Sequence, residues 1–470
     1  MAEPRAGRPA EPRTGRPLPT AEPRTGRPLR ILVVSQYFWP EEFRVNDLAL
    51  ELADRGHEVT VLTGQPSFPS RALFGGRGPL RPWTDRLGRV AVKRVPLASR
   101  GRGQGWRLAL NYLSFAASAS LLGPARLRGR FDAIFVYQLS PVTVGVPAAV
   151  LKRLKGVPIV FWVQDLWPES LAATGAVTSE RVLRWVGRLV RWLYQQSDCV
   201  LVTSRGFLDH VAALGARPSK VAYLPQWAES AYAPVRLDED ALERRELPGG
   251  FRVVLAGNIG TAQSLGTVLD AAGRLRDLDE VNWVIIGDGR QRAWVEAEVA
   301  RRGLAGRVHL LGRRPVEAMP RYLSLADALV VTLERRAIYA LTIPARLQSF
   351  LACGKPVLGA LDGEGARVIE ESGAGIAVPA EDAVALAGAV RSLYHLPAAE
   401  RAAMGARGRA YFLEHFERQK LLDQLEACMR ETAGGPEAAG SAARPVREQE
   451  LRPVGTAGAT PGVREEELRR

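Results

Sequence analysis

The chain has 470 residues, 46% of them hydrophobic, and a formal net charge of +14. That length holds two or three domains with sizeable cores, which excludes a small disulfide scaffold and a wholly unfolded chain. Three cysteines, Cys199, Cys353 and Cys428, are too few and too scattered for a disulfide framework or a zinc site, so each reads as a small core residue.

The chain opens on a repeat, in which residues 2–9 recur as 10–17 and again as 21–28. Proline every few residues and no apolar positions leave nothing to bury, so 1–28 reads as a disordered tail. Neither an apolar leader nor a run of 18 or more apolar residues occurs, so no signal peptide or membrane span is expected and the cytoplasm is the expected compartment. Residues 29–34 suit a central parallel strand. After the loop 35–40, Val45, Leu48, Ala49 and Leu52 share one face of a helix over 44–55, and Gly56 ends it before a strand over 57–63. This doubly wound start has no G-x-G-x-x-G in its first turn, so a dehydrogenase is not expected.

Between Arg77 and Arg130 there are 12 Arg and Lys against the single acid Asp85. The segment holds a strand over 90–95 and an apolar helix over 108–122, with Trp106 just before it and Tyr112 and Phe115 within it. Basic plus apolar is what an interfacial contact with an anionic membrane requires; it is also what a core helix beside a solvated, arginine-rich surface looks like. Strands are expected over 133–137 and 159–163. The second runs into Gln164-Asp165-Leu166-Trp167-Pro168-Glu169-Ser170, which places Gln164, Asp165 and Glu169 at the carboxyl end of a strand, where open α/β sheets bind ligands. The competing reading is a helix cap by Asp165 or Ser170. A helix over 181–196 carries an arginine stripe, Arg181, Arg184, Arg188 and Arg191, which either extends the anion-binding surface or is simply solvated. A strand over 198–203 leads to Ser204, the expected cap of a helix containing Gly206 and His210, and 225–250 reads as an interdomain connection.

A second α/β run starts at 251–256 and passes through Gly257-Asn258-Ile259-Gly260 into a helix over 265–275, a loop whose amides suit a diphosphate. A strand over 282–286 ends in Gly287-Asp288-Gly289, and strands over 308–311 and 328–333 follow. His309 reads as structural. Pro344 opens an apolar helix, Gly354 closes it, and a strand over 357–359, a loop with Asp362 and Glu364, a helix over 366–372 and a strand over 375–378 complete the sheet. A helix over 419–430 closes the ordered chain, and 433–470 reads as a second disordered tail.

Two tandem doubly wound domains carrying Gly257-Asn258-Ile259-Gly260 and Ala352-Cys353-Gly354-Lys355-Pro356-Val357 resemble a family 4 glycosyltransferase of the GT-B fold over about residues 29–431. Ser35-Gln36-Tyr37-Phe38-Trp39-Pro40-Glu41, the 164–169 segment and Thr342-Ile343-Pro344-Ala345-Arg346 are similar to the N-acetylfucosaminyl-transferase-like branch of O-antigen and capsule biosynthesis. The resemblance implies an α/β protein with an acceptor-side Rossmann-like domain (29–205), a connection (206–250), a donor-binding Rossmann-like domain (251–415) and a helix (416–432) returning toward the first domain. It implies retaining, metal-independent sugar transfer from a nucleoside-diphosphate sugar, with no other cofactor. The implied donor residues are Gly257, Asn258, Gly260, Gln263, Gly287, Asp288, Arg346, Gln348, Ser349 and Glu364; the acceptor-side residues are Gln36, Tyr37, Arg44, Asn46 and Gln164.

The chain departs from the family pattern where it matters. Asn258 and Gln263 stand where many members have Arg and Lys, Leu341 and Ser349 where many have a glutamate pair, and the usual histidine is missing at 164–165. Leaving-group charge still has to be met, which makes Arg346 the first candidate and Lys355 a weaker one, with Asp165 and Glu169 as the acidic catalytic candidates. The expected partners are the donor, a lipid-linked sugar acceptor and the inner membrane surface through the basic 77–130 segment, with no nucleic acid. A nucleotide-sugar 2-epimerase or a catalytically silent partner subunit are the alternatives.

Overall fold

Successive side chains of a strand point to opposite faces, so a strand covered on both sides must be apolar throughout. The run Ile31, Leu32, Val33, Val34 does this: Ile31 and Val33 enter one core and Leu32 and Val34 another. The computed structural model describes residues 15–19, 27–41, 43–66, 83–100, 105–173, 175 and 177–434. Its first sheet contains β1 (Arg30–Val34), β2 (Glu58–Gly64), β3 (Trp83–Leu87), β4 (Val90–Val95), β5 (Ala133–Gln138), β6 (Ile159–Val163), β7 (Cys199–Val202) and β8 (Val221–Tyr223), in the order β3-β4-β2-β1-β5-β6-β7-β8. All pairings are parallel except the β3–β4 hairpin.

The second sheet contains β9 (Phe251–Ala256), β10 (Val281–Ile286), β11 (Val308–Gly312), β12 (Ala328–Thr332), β13 (Val357–Ala360) and β14 (Gly375–Val378), in the order β11-β10-β9-β12-β13-β14, all parallel. Strand order reverses at β1/β5 in one sheet and at β9/β12 in the other, which are the two places where such sheets open a ligand crevice. Helices cover both faces of both sheets. The helix Gly105–Arg126 buries Asn111, Phe115 and Ala119, and the helix Ala345–Cys353 buries Leu347, Phe350 and Leu351. The latter starts after Pro344 and stops at left-handed Gly354, as its sequence dictates.

Two expectations are corrected, and two further features differ from the sequence reading. Residues 15–19, expected within a disordered tail, lie against the first domain: the Arg16 amide donates to the Val221 carbonyl at 2.9 Å, and Leu18 packs on the core. A Cβ on Gly15 would sit 2.7 Å from the Leu208 side chain, so this approach needs a glycine. Segment 206–250 is not all connection, because the helix Gly206–Ala213 and β8 belong to the first sheet. The strand β3 had no sequence signal, its alternation being broken by Asp85 and Arg86. The helix Gly105–Arg126 is long and apolar enough to cross a membrane by length and composition, although one face is packed in the first core. Residues 1–14, 20–26 and 435–470, read as tails, and residues 77–82 and 101–104 of the basic segment lie outside the described residues, whereas Arg27 pairs with Asp132 at 3.0 Å and 433–434 end the last helix.

The helix Arg418–Gly434 returns to the first domain, where Leu421, Leu422, Leu425 and Met429 join the core beside β1. Charge reinforces the contact. Glu426 pairs with His57 at 3.3 Å and Arg430 at 2.8 Å, and Arg55 reaches Asp423 at 2.5 Å. The His57 hydrogen bond, then Arg430, hold the Glu426 carboxyl down at about 2. A depressed carboxyl contributes stability that is present above its unfolded pKa and is lost as pH falls through the folded value. Glu426→Gln therefore lowers the thermal midpoint at pH 7, and the gap to the parent closes between pH 4.5 and about 2, followed by circular dichroism melts across that range.

Candidate active site

The carboxyl ends of the second sheet face the first turn of the helix Arg44–Asp54 and the segment 229–232 across a cleft of about 1560 Å³. Two glycines shape its floor. Gly257 has φ +124° and Gly287 φ +150°, conformations that disfavour a side chain, and a Cβ on Gly287 would overlap the Gly257 carbonyl. The β9 and β10 turns thus stack backbone on backbone, joined by Gly257 N–H to Ile286 O at 2.9 Å and Ile259 N–H to Asp288 O at 2.9 Å.

Onto this floor the helix Ala345–Cys353 delivers Arg346, whose guanidinium carbon lies 3.4 Å from where a Gly257 Cβ would be. No carboxylate pairs with Arg346 among the described residues, and its Nη1 is buried without a hydrogen-bond partner. Burial pushes its pKa down to about 10. A guanidinium desolvated this far without a counter-ion is costly unless an anion completes it. The diphosphate-binding loop contributes less than its sequence suggests. Ile259, Gly260, Gln263 and Ser264 spend their amides on Asp288 O, Gln263 Oε1, Gly260 O and Thr261 O respectively. Gln263 folds back on its own loop, and its carbonyl accepts from the Thr332 hydroxyl.

Of the donor candidates, Gly257, Asn258, Gln263, Gly287, Asp288, Arg346 and Ser349 line the cleft, while Gly260 and Gln348 stand behind it. Gln348 is buried, and its Oε1 has no partner among the described residues. Glu364 is turned toward the first domain, accepting from Ser204 Oγ at 3.2 Å and Arg367 at 2.6 Å. Asp362 accepts from the Ala380 amide at 2.9 Å, which makes it a turn residue. Lys355 lies outside the cleft lining, its pKa lowered by burial.

On the acceptor side, Arg44 and Asn46 reach the cleft, with Arg44 held by Glu229 at 2.9 and 2.7 Å. Gln36 and Tyr37 line a smaller hollow at the β1/β5 switch point, both tied to Asn111 Oδ1, at 2.7 and 3.1 Å. Gln164 Oε1 accepts from Gln226. Asp165 and Glu169 do not line the cleft. Asp165 accepts from the Ser170 hydroxyl, and Glu169 pairs with His210 at 3.1 Å. They lie where Ile338 and Leu341 of the second domain pack on the first core, one layer behind Tyr339, which does reach the cleft.

Sequence reasoning missed Asn111, Glu229, Tyr232, Arg313 and Tyr339. Asn111 alone had a signal, a polar residue on the buried face of an apolar helix. Burial pushes Asp165 up to about 6. With its folded pKa above the ordinary carboxyl value, folding takes up a proton between about pH 4 and 6, and that stabilisation is lost as pH rises through about 6. Asp165→Asn accordingly raises the thermal midpoint at pH 7.5 and not at pH 4, a difference that paired calorimetric scans resolve.

Residues 42–227 match the Glycosyl transferase 4-like domain model, and residues 250–395 match the model for Glycosyl transferases group 1. The chain is 28% identical over 338 residues to WcaI of Escherichia coli (strain K12), named for colanic acid biosynthesis, covering 69% of this chain and 82% of that one. It is 25% identical over 342 residues to WbjE of Pseudomonas aeruginosa, named as a glycosyltransferase, covering 72% and 83%. The Anabaena protein Alr3699/HepE, solved with UDP-glucose, superposes with a TM-score of 0.61 at 17% identity, covering 88% of this chain and all of that one. The fold is therefore GT-B.

Proposed function

Because this chain belongs to the family 4 glycosyltransferases, we propose that it moves a sugar from a nucleoside-diphosphate donor to a lipid-linked glycan acceptor during cell-surface polysaccharide assembly. The observation that carries this reading is Arg346, a desolvated guanidinium on the cleft floor with no carboxylate partner among the described residues. A diphosphate supplies the missing charge. As the bond between sugar and phosphate breaks, negative charge grows on the leaving oxygen, and a fixed guanidinium stabilises it more than the ground state. In this reading Arg346 meets the leaving-group charge, so turnover needs no divalent ion; that the anomeric configuration is retained rests on the family resemblance alone. The relative named for colanic acid biosynthesis favours a cell-surface glycan as product, and the 1560 Å³ cleft has room for donor and acceptor together.

Thermal shift with uridine, guanosine and thymidine diphosphates, and then their sugars, identifies the donor, since a ligand of the native state raises its midpoint by mass action. Arg346→Ala loses turnover by roughly 10²–10³, the range of a removed transition-state donor, whereas Lys355→Ala stays near the parent. Parental turnover of Arg346→Ala at saturating donor refutes the role, as does loss of turnover in EDTA for metal independence.

The acceptor side suits a membrane. On the helix Gly105–Arg126, Trp106, Leu110, Leu113 and Leu121 form one exposed apolar stripe, 49–78% exposed. On the helix Glu180–Gln196, Trp185 stands 71% exposed among Arg181, Arg184 and Arg188. Both helices contribute to the same core, so they cover one face of the first sheet. Apolar side chains interleaved with arginine favour the interface of an anionic bilayer. Flotation with phosphatidylglycerol vesicles is expected to carry the protein up at low salt and release it at high salt; Trp106→Glu with Trp185→Glu abolishes it. Absence of flotation at any salt leaves a soluble acceptor.

A further inference from the structure

Cys199 in β7 and Cys428 in the helix Arg418–Gly434 are 229 positions apart, yet their sulfur atoms lie 3.0 Å from each other in the core. A disulfide needs about 2.05 Å, so the remaining gap of about 1 Å is within the reach of side-chain adjustment. The third member of the cluster comes from the segment 15–19. Arg16 Nη2 stands 3.5 Å from Cys199 Sγ and 3.7 Å from Cys428 Sγ, while Nη1 is fixed by Glu431 at 2.7 and 2.8 Å. That segment is seated by the Arg16 amide on Val221 O and by the glycine fit at Gly15.

An apolar core raises a thiol's pKa, and Cys353 follows this rule, pushed up to about 12 by burial. Cys199 does not. The hydrogen bond from Cys428, and then the Arg16 charge, outweigh burial and hold it below the ordinary thiol value, while Cys428 is held well above it. One sulfur therefore has thiolate character, the other keeps its proton, and the two are in contact. This is the pairing of an attacking and a resolving thiol. A metal ion is a poor fit, because two thiolates at about 2.3 Å from a tetrahedral ion stand farther apart than these.

We propose that Cys199 and Cys428 form a redox-modification site, converted by hydrogen peroxide to an internal disulfide that ties the returning helix to the first sheet. The Cys199 thiolate attacks one peroxide oxygen, the O–O bond breaks, and Cys199 becomes a sulfenic acid while the other oxygen leaves as water after taking a proton. Cys428 then gives up its proton and attacks the sulfenic sulfur. The S–S bond forms and a second water leaves. Two thiols are oxidised by two electrons and one peroxide is reduced to two waters. Access comes from local opening at the carboxyl end of the helix, six residues beyond Cys428. The closed loop constrains the unfolded chain and raises the thermal midpoint.

The test treats the reduced full-length protein with hydrogen peroxide, denatures it in iodoacetamide, and maps peptides without reduction. The expected result is one alkylated cysteine, Cys353, in place of three, together with a cross-linked peptide joining Cys199 to Cys428 and a higher midpoint that dithiothreitol reverses. Cys428→Ser stops at a dimedone-trappable sulfenic acid on Cys199, and Arg16→Ala slows oxidation several-fold. Three alkylated cysteines at a peroxide dose that already oxidises methionine overturn the proposal, as does a cross-link that includes Cys353. The parent map reads out even if a variant fails to fold.

Discussion

The chemistry of the cleft depends on one close approach, the contact between the Gly257 and Gly287 backbones. Two β–α turns that meet without side chains leave a shallow floor, and the Arg346 guanidinium lies in van der Waals range of the bare Gly257 position. The guanidinium is then enclosed by backbone instead of by acids. Its charge is left unneutralised within the fold, and this is the condition under which an arginine binds an anionic ligand rather than completing an internal ion pair. The loop after β9 supports this floor more than it supplies donors, since four of its amides are already used.

The domains meet near the cleft through an apolar contact, Ile338 and Leu341 on the first core, and through polar ones. Ser204 and Glu364 join the first domain to the second, and a Cβ on Gly206 would approach Leu341 Cα to 3.1 Å, so the helix starting there is seated directly on the neighbouring domain. Arg44 and Glu229 make a second tie at the mouth. The polar contacts among these resemble those of transient interfaces, while the returning helix holds the last described residues on the first domain.

Much of the architecture was legible because parallel strands buried on two faces must be continuously apolar, and the helix after Pro344 carries its own start and stop signals. β3 and β8 were not: β3 is mixed in composition, and β8 is only three residues long. The site divided similarly. Arg346, Gly257 and Gly287 are local features of turns and a helix start, and were readable as such. Asp165 and Glu169 looked like site acids from their place after β6, but helix packing between the domains put them behind Tyr339. Glu229, Arg313 and the Cys199–Cys428 contact had no local signature at all. The sulfur pair in particular was read as two separate core residues, because a sequence holds no record of which distant strand a terminal helix will cover.

The return of the helix Arg418–Gly434 also sets an order of events for the growing chain. The core face of β1 that receives Leu421, Leu422, Leu425 and Met429 is made within the first sixth or so of the sequence and synthesised long before its cover. At typical elongation of about 5–20 residues per second, that face waits tens of seconds on the ribosome. The first domain is thus finished only when the second has already been made. Quality control of the nascent chain and completion of the enzyme become one event, so a chain truncated anywhere before that helix carries its own exposed hydrophobic signal for disposal.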